Sequence, residues 1–367
     1  MALTLNKIGI TTGNTVEAYH VTQSIDAFTG TVAYDISLSG SFNVTGSVAN
    51  GTADNVANNF SHAQGQTNVA SGYTSHAEGS NNFAVGVASH AEGAQNVALG
   101  GASHAEGQQV TSSGGWSHAE GYQTISSGSY SHAEGYQTIT IGTAAHSEGF
   151  LTSASGDYSH AEGHLTRATG LYSHAEGSGS LASGTASLAI GSQTTASGTI
   201  SFASGFQTKA LGQGSFATGL LNTVAGAYSF VGGYESYINS NFSFAFGFQN
   251  SASGQYSVAL GDNTKAIAYA SFTSGRGTIA SGSQQTVTGE YNTQGDTTSL
   301  FIVGNGSLST RRDAFKVRMS GSIVLPTTQS AAPTWTGSNG EMIPATVGGQ
   351  HFLYMWMSGT WRSSSFA

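Results

Sequence analysis

The chain of 367 residues has no cysteine, only 3 prolines, and a charged fraction of 8%. Without cysteine there is neither a disulfide scaffold nor a thiolate-ligated zinc or iron–sulfur site. So few prolines exclude a collagen-like helix, which also needs glycine at every third position. No apolar run approaches the roughly 20 residues of a transmembrane helix, so membrane insertion is not expected. The start, Met1-Ala2-Leu3-Thr4-Leu5-Asn6-Lys7, lacks a basic segment followed by an apolar core, so no signal peptide is expected. Basic residues number 10 against 19 acidic ones, a net charge of −9, which argues against a nucleic-acid binder. What the chain has in excess is glycine, 52 residues, about twice the ordinary share. With 38% hydrophobic and 10% aromatic residues it is too apolar for a disordered chain.

The glycines belong to a repeat. The string Ser-His-Ala-Glu-Gly, with Gln64 in the first copy and Ala145-His146-Ser147 in the seventh, recurs at intervals of 14 residues, with histidines at His62, His76, His90, His104, His118, His132, His146, His160 and His174. The period continues after the histidines end, with Leu188, Phe202, Phe216, Phe230, Phe244, Val258 and Phe272 at the same position. Calling this position 0, glycine stands at +3 throughout, and a second glycine stands at +10 in most repeats, such as Gly72, Gly86 and Gly128. There are sixteen clear repeats and a degenerate one ending at Gly289. Two glycines per repeat disfavour helix and suit tight turns, where glycine reaches positive φ without steric cost. The expected fold is all-β: a parallel β-solenoid with one coil of 14 residues per repeat. At about 4.8 Å per coil, sixteen repeats make a rod of about 75 Å.

Strand alternation assigns the faces. Positions −1 and +1 are Ser and Ala almost throughout, +6 is Asn, Thr or Ser except at Val110, and +8 is mostly Ala or Ser. Uniformly small residues imply a narrow interior in which stacked Thr and Asn satisfy one another. Positions −2, 0, +2 and +4 are expected on the opposite face, which in the second half is apolar and aromatic, as in Phe244, Phe246 and Phe248. A single chain does not leave such a stripe in water, so the stripes of several chains are expected to face a common axis.

The repeats resemble the head repeats of trimeric adhesins of the YadA type, in which the string reads more like Ser-Val-Ala-Ile-Gly. Ser187-Leu188-Ala189-Ile190-Gly191 and Ser257-Val258-Ala259-Leu260-Gly261 approach that form closely. The His/Glu version resembles repeats of bacteriophage fibre and tail proteins. The resemblance covers about residues 57–295 and implies a left-handed parallel β-roll that forms a homotrimer. The lack of a signal peptide and of a C-terminal anchor barrel shifts the expectation from a bacterial adhesin passenger to a virion protein.

Eight of the nine histidines are followed at +2 by glutamate: Glu78, Glu92, Glu106, Glu120, Glu134, Glu148, Glu162 and Glu176. By analogy with the apolar half, both residues point toward the trimer axis. Three uses compete. In a structural ladder, each imidazole bonds a carboxylate of its own or a neighbouring chain. In a metal or anion site, imidazoles of three chains converge on the axis, with His90, His104, His118 and His132 as candidates. Catalysis is the third, but His-Ala-Glu is not the metalloprotease pattern, and a His-x-Glu unit copied eight times reads as architecture. No enzyme activity and no cofactor are expected.

Both ends break the period. Residues 1–56 alternate from Val21 to Ser41 and are expected to form short strands that cap the first coil and anchor the chain to a virion. Residues 296–326 read as strands around a turn and hold Arg311, Arg312, Lys316 and Arg318, expected either as a basic collar or paired with carboxylates and carbonyls at the end of the roll. Residues 327–367 start with a polar linker to Pro333, continue through Trp335 and a turn at Gly348-Gly349, and form a β-rich tip. His351, Tyr354, Trp356, Trp361 and Arg362 are its candidates for binding a host-surface glycan or protein. The functional expectation is a structural trimeric fibre or spike of a phage virion, on tail or head, attaching to the host through its tip. A bacterial adhesin passenger and a purely structural capsid-decorating fibre are the alternatives.

Overall fold

The computed structural model describes residues 55–324 throughout. Beyond them it describes the strands Leu3–Thr4, Tyr34–Asp35 and Val48–Gly51 on one side, and Met342–Val347, Gln350–Met357 and Thr360–Phe366 on the other. Most of the alternating stretch from Val21 to Ser41, the linker from Pro326 to Pro333, Trp335 and the Gly348-Gly349 turn lie outside the described residues.

Each coil is built the same way, and the coil holding His118 serves as the type. A five-residue strand, His118–Tyr122, covers positions 0 to +4, and a two-residue return strand, Ile125–Ser126, covers +7 and +8. His118 pairs in parallel with His104 before it and His132 after it, and Glu120 with Glu106 and Glu134. Like therefore stacks on like, rung after rung. Eighteen long strands from Val48–Gly51 to Thr286–Glu290 form one ladder, and seventeen short ones from Val56–Ala57 to Ile279–Ala280 form the other. No helix occurs among the described residues.

The ladder extends one rung beyond each edge of the recognisable repeats. Val48 pairs with His62, and Ser47-Val48-Ala49-Asn50-Gly51 is a variant of the repeat string without its histidine and glutamate. At the far end Phe301 pairs with Thr286 at an offset of 15 residues rather than 14, so a single insertion is absorbed. Strand Ser299–Asn305 then pairs antiparallel with Asp313–Arg318, which pairs antiparallel with Ile323–Val324. Switching direction stops the parallel ladder, as a solenoid end requires.

The interior is as narrow as the small residues imply. Ala63, Ala70, Ala77 and Ala84 are fully buried, and the same columns continue to Ala280, broadening only near Val224, Val231 and Ile238. The −1 serine locks a corner: the Ser117 hydroxyl donates to the Gly114 carbonyl at 2.7 Å and that of Ser131 to Gly128 at 2.6 Å. Position +6 ties coils together where asparagine stands. The Asn82 amide donates to the Glu78 carbonyl (2.6 Å) and to the Gly93 carbonyl of the next coil (2.8 Å), while its oxygen accepts from the Asn96 backbone N–H (2.9 Å). Threonine does this less completely, and the hydroxyls of Thr124, Thr138 and Thr152 are buried without a partner.

The turns correct the reading of the glycines. Gly121 at +3 has φ +109°, as expected of glycine, but Gly128 at +10 has no positive φ. It is glycine because a Cβ there would lie 2.0 Å from the Gly142 carbonyl oxygen of the next coil. The positive-φ turn positions are +5 and −2, and these are rarely glycine: Gln123 has φ 54° and Tyr130 φ 59°. A left-handed non-glycine residue costs about 1–2 kcal/mol. The offset is an inter-coil hydrogen bond at each, Gln123 N–H to the Gln108 carbonyl and Tyr130 N–H to the Gly115 carbonyl, both 2.9 Å.

Candidate functional site

The outward side chains stand in columns, because a parallel in-register ladder places identical positions one rung apart. The position 0 column begins with a stack of imidazoles. From His76 to His160 successive rings lie 4.7–4.8 Å apart and within 7° of parallel. The stack continues past Leu188 as phenyl rings, with Phe202 on Phe216 at 4.5 Å, Phe216 on Phe230 at 5.0 Å and Phe230 on Phe244 at 4.9 Å. Val258 and Phe272 carry the column to Thr286.

The glutamates lie beside the imidazoles, but the paired groups do not hydrogen-bond. His76 Nε2 is 3.7 Å from Glu78, His90 is 3.4 Å from Glu92, His104 is 3.9 Å from Glu106, and His118 is 3.7 Å from Glu120. His132 is 3.8 Å from Glu134 and His160 is 3.8 Å from Glu162, while His174 reaches back to Glu162 at 3.9 Å. These are Coulomb separations longer than a hydrogen bond. Nε2 of His76, His90, His104, His118, His132, His146, His160 and His174 is buried without a hydrogen-bond partner. The expected imidazole–carboxylate bond is therefore not made within one chain.

Burial lowers the basicity of His76, His104, His132, His160 and His174, and for each a neighbouring imidazole adds to the effect. A hydrogen bond with Glu148, helped by burial, pushes Glu134 up to about 7, and the bond to Glu148 raises Glu162 as well. Glu148, which accepts from Glu134 and Glu162, is held below the usual carboxylate range. Carboxylates stacked at rung spacing push one another's proton affinities apart, up at Glu134 and Glu162 and down at Glu148 between them.

Position −2 was expected on the strand face with 0 and +2. It lies instead in the turn, at positive φ, and forms its own exposed column. Trp116, 64% exposed, stacks on Tyr130 at 5.2 Å, and Tyr228, Phe242 and Tyr256 stack at 5.5 and 5.2 Å. An open groove of about 400 Å³ runs between the −2 and 0 columns, lined by Tyr228, Phe242, Phe216, Phe230 and Phe244. At +4, Tyr122, Tyr136, Phe150 and His164 stack in turn. The sequence reading overlooked the +5 column, where amides of Gln137, Gln123, Gln109 and Gln95 bond in a ladder at 2.6–3.0 Å. Its signal was the recurrence of Gln directly after the first turn.

At the end of the roll the basic residues meet oxygen partners. Lys316 Nζ lies 2.7 Å from Asp313 and 3.0 Å from Asp296. Arg311 donates to the Gly277 carbonyl at 2.7 Å and Arg312 to the Asn305 carbonyl at 3.3 Å. Buried Gln285 donates to the carbonyls of Asp296 and Ser299, both at 2.8 Å. Arg318 is exposed.

The C-terminal strands form an antiparallel three-stranded sheet with Gln350–Met357 in the centre. Trp356 pairs with Trp361, their rings edge to face at 5.3 Å. Tyr354 shares the Trp356 face by alternation, whereas Arg362 pairs with Met355 and belongs to the other face. The backbone of His351 pairs with Thr346 and Phe366, and its side chain is outside the described residues. The four tip candidates with described side chains are thus split between two faces.

A family model described as the YadA head domain repeat matches in two copies, residues 182–208 and 241–264. No curated protein matches the chain. Both matched stretches lie in the apolar half, yet His174 pairs with Leu188 and Glu176 with Ile190 in the unbroken ladder. The His/Glu coils and the matched repeats thus share one ladder and one register.

Proposed function

We propose that three copies of this chain assemble into a fibre, with the position 0 and +2 columns turned toward a common axis. The fibre is the shaft of a phage tail or head fibre in the virion. Residues 1–56 attach it there, and the C-terminal sheet presents a surface to a host glycan or protein. The observation that carries this reading is the outward column itself. An interior filled by alanine, serine and asparagine stabilises the coil, while large rings such as Phe244, Phe246 and Phe248 remain 36%, 51% and 46% exposed in a single chain. At about 25 cal/mol per Å² of apolar surface, covering such rings over many rungs is a strong drive to assembly. The groove beside the Phe216–Phe244 column takes rings from another copy. The trimeric YadA-type heads that the matched repeats resemble support the number three.

The role is architectural rather than catalytic, since the His-Ala-Glu unit recurs identically in many coils and singles out no reacting centre. The same family match also favours a second reading, a surface adhesin of a bacterium. Solution mass tests the assembly: the expected value is three times the chain mass of 37.3 kDa, and a monomer would overturn it. Immunogold labelling with antibody to the roll separates virion from bacterial surface. Deleting residues 327–367 is expected to abolish host adsorption without changing the mass ratio, and undiminished adsorption would remove the tip from the role.

A further inference from the structure

We infer that the His/Glu half of the roll is a row of transition-metal sites, each formed by two successive imidazoles and the glutamate beside them. The proposal does not depend on the trimer, because one chain supplies all three ligands. His90–Glu92–His104, His118–Glu120–His132 and His160–Glu162–His174 each bring their ligand atoms within 4.8 Å of one another.

Three observations point to an ion rather than a hydrogen-bonded ladder. First, the Nε2 atoms of these histidines are buried and accept or donate no hydrogen bond, which is costly for a polar atom unless something binds it. Second, the His–Glu separations of 3.4–3.9 Å are too long for a hydrogen bond. They are the span of two bonds of about 2.1 Å that meet at a metal with an angle of about 108–136°. Third, the stacking puts the ligand atoms of successive imidazoles within 4.8 Å, and a tilt of one ring turns its in-plane lone pair toward an ion held by the other, a tilt that His174 already makes on His160 at 43°. The glutamates are 29–50% exposed, so they swing aside to admit the ion and return as ligands.

The donor set of imidazole and carboxylate without thiolate selects zinc, cobalt or nickel over magnesium and calcium, which want oxygen alone. Overlapping trios share a histidine, as His104 does with Glu92 and Glu106, so neighbouring trios are not filled together. The disjoint set holds three ions per chain, one in each trio named above.

The test uses the full-length chain stripped of metal by a chelator and titrated with Zn²⁺ and Co²⁺. The expected result is about three ions per chain, the number of disjoint trios, a visible Co²⁺ ligand-field band, and no competition from excess Mg²⁺ or Ca²⁺. Replacing His118→Leu, Glu120→Ile, His132→Leu and Glu134→Ile, which copies the apolar coils, should leave about two of the disjoint trios. His164→Ala, outside the trios, should leave the stoichiometry unchanged. Should the fourfold variant fail to fold, the isosteric change of Glu92, Glu106, Glu120, Glu134 and Glu162 to Gln, one in each trio, should weaken Zn²⁺ binding at least about tenfold. Absence of Zn²⁺ binding to the wild-type chain, or equal binding by the folded fourfold variant, would overturn the proposal.

Discussion

At the scale of the residue, two kinds of position that look alike in the sequence are held by different forces. Neither has room for a Cβ, which would lie 2.1 Å from the Gly135 carbonyl oxygen at Gly121 and 2.0 Å from that of Gly142 at Gly128, but only Gly121 also has a backbone conformation that a side chain resists. The distinction yields an expected outcome. Gly128→Ala places a methyl 2.0 Å from the Gly142 carbonyl, an atom the next coil cannot move without breaking its own pairing. The expected loss is on the order of 2–4 kcal/mol, in the range of overpacked sites. Ser129→Ala, one residue on and exposed, should be silent. Thermal melts of the two variants check this, and equal melting temperatures would remove the steric account. The turn residues at +5 and −2 show the converse: glutamine and tyrosine accept positive φ because their N–H groups bond the preceding coil and their side chains stack on it.

At the scale of the element, a coil is stable only against its neighbours, since most of its backbone bonds leave it. The last coil therefore needs a lid, and the lid is electrostatic. Burial alone would raise the Asp296 carboxyl, but bonds from Lys316, Thr298 and Ser299 outweigh it and hold it well below the usual carboxylate range. Lys316, bonded to Asp313 and Asp296, is raised despite its own burial. A depressed carboxylate contributes stability that is present above its unfolded value near 3.9 and lost as pH falls through the folded one. Amide exchange in Ser299–Asn305 should thus accelerate, relative to the coils around Ala189, when pH is taken from 7 to 3. Asp296→Asn should accelerate it at pH 7 and flatten the pH response. A strand equally protected at both pH values would show that the lid is held by something else.

At the scale of the molecule, the roll is a column machine in which one register serves two chemistries. Polar rungs to His174 and apolar rungs from Leu188 share strand length, turns and pairing, so the outward column is exchangeable without altering the coil. His118→Leu with Glu120→Ile, which converts one polar rung to an apolar one, should therefore leave the solution mass and the rod length unchanged. Loss of assembly on that double change would show the His/Glu column to be essential to the architecture rather than accommodated by it.

The repeat period, the parallel stacking of like on like, the small interior and the outward ladder were all legible in the chain, because each follows from a residue type recurring at fixed spacing. The rung at Val48–Gly51 was legible too, since Ser47-Val48-Ala49-Asn50-Gly51 keeps the serine, alanine and glycine of the repeat 14 residues before His62, but its lack of histidine and glutamate hid it. The departure of position −2 from the strand face was not legible, because Tyr130 and Trp116 carry no local sign of the left-handed turn they occupy. The tip candidates were found as a cluster of aromatic residues, and the pairing of Trp356 with Trp361 separates them from Arg362. By itself the sequence determined a one-dimensional order: the coil, its period and which positions are small. Only the tertiary structure decided the distances across that order. The reason is that register repeats along the chain, whereas the gap between His90 and Glu92, the missing room at Gly128 and the turn at Tyr130 depend on how closely the next coil approaches.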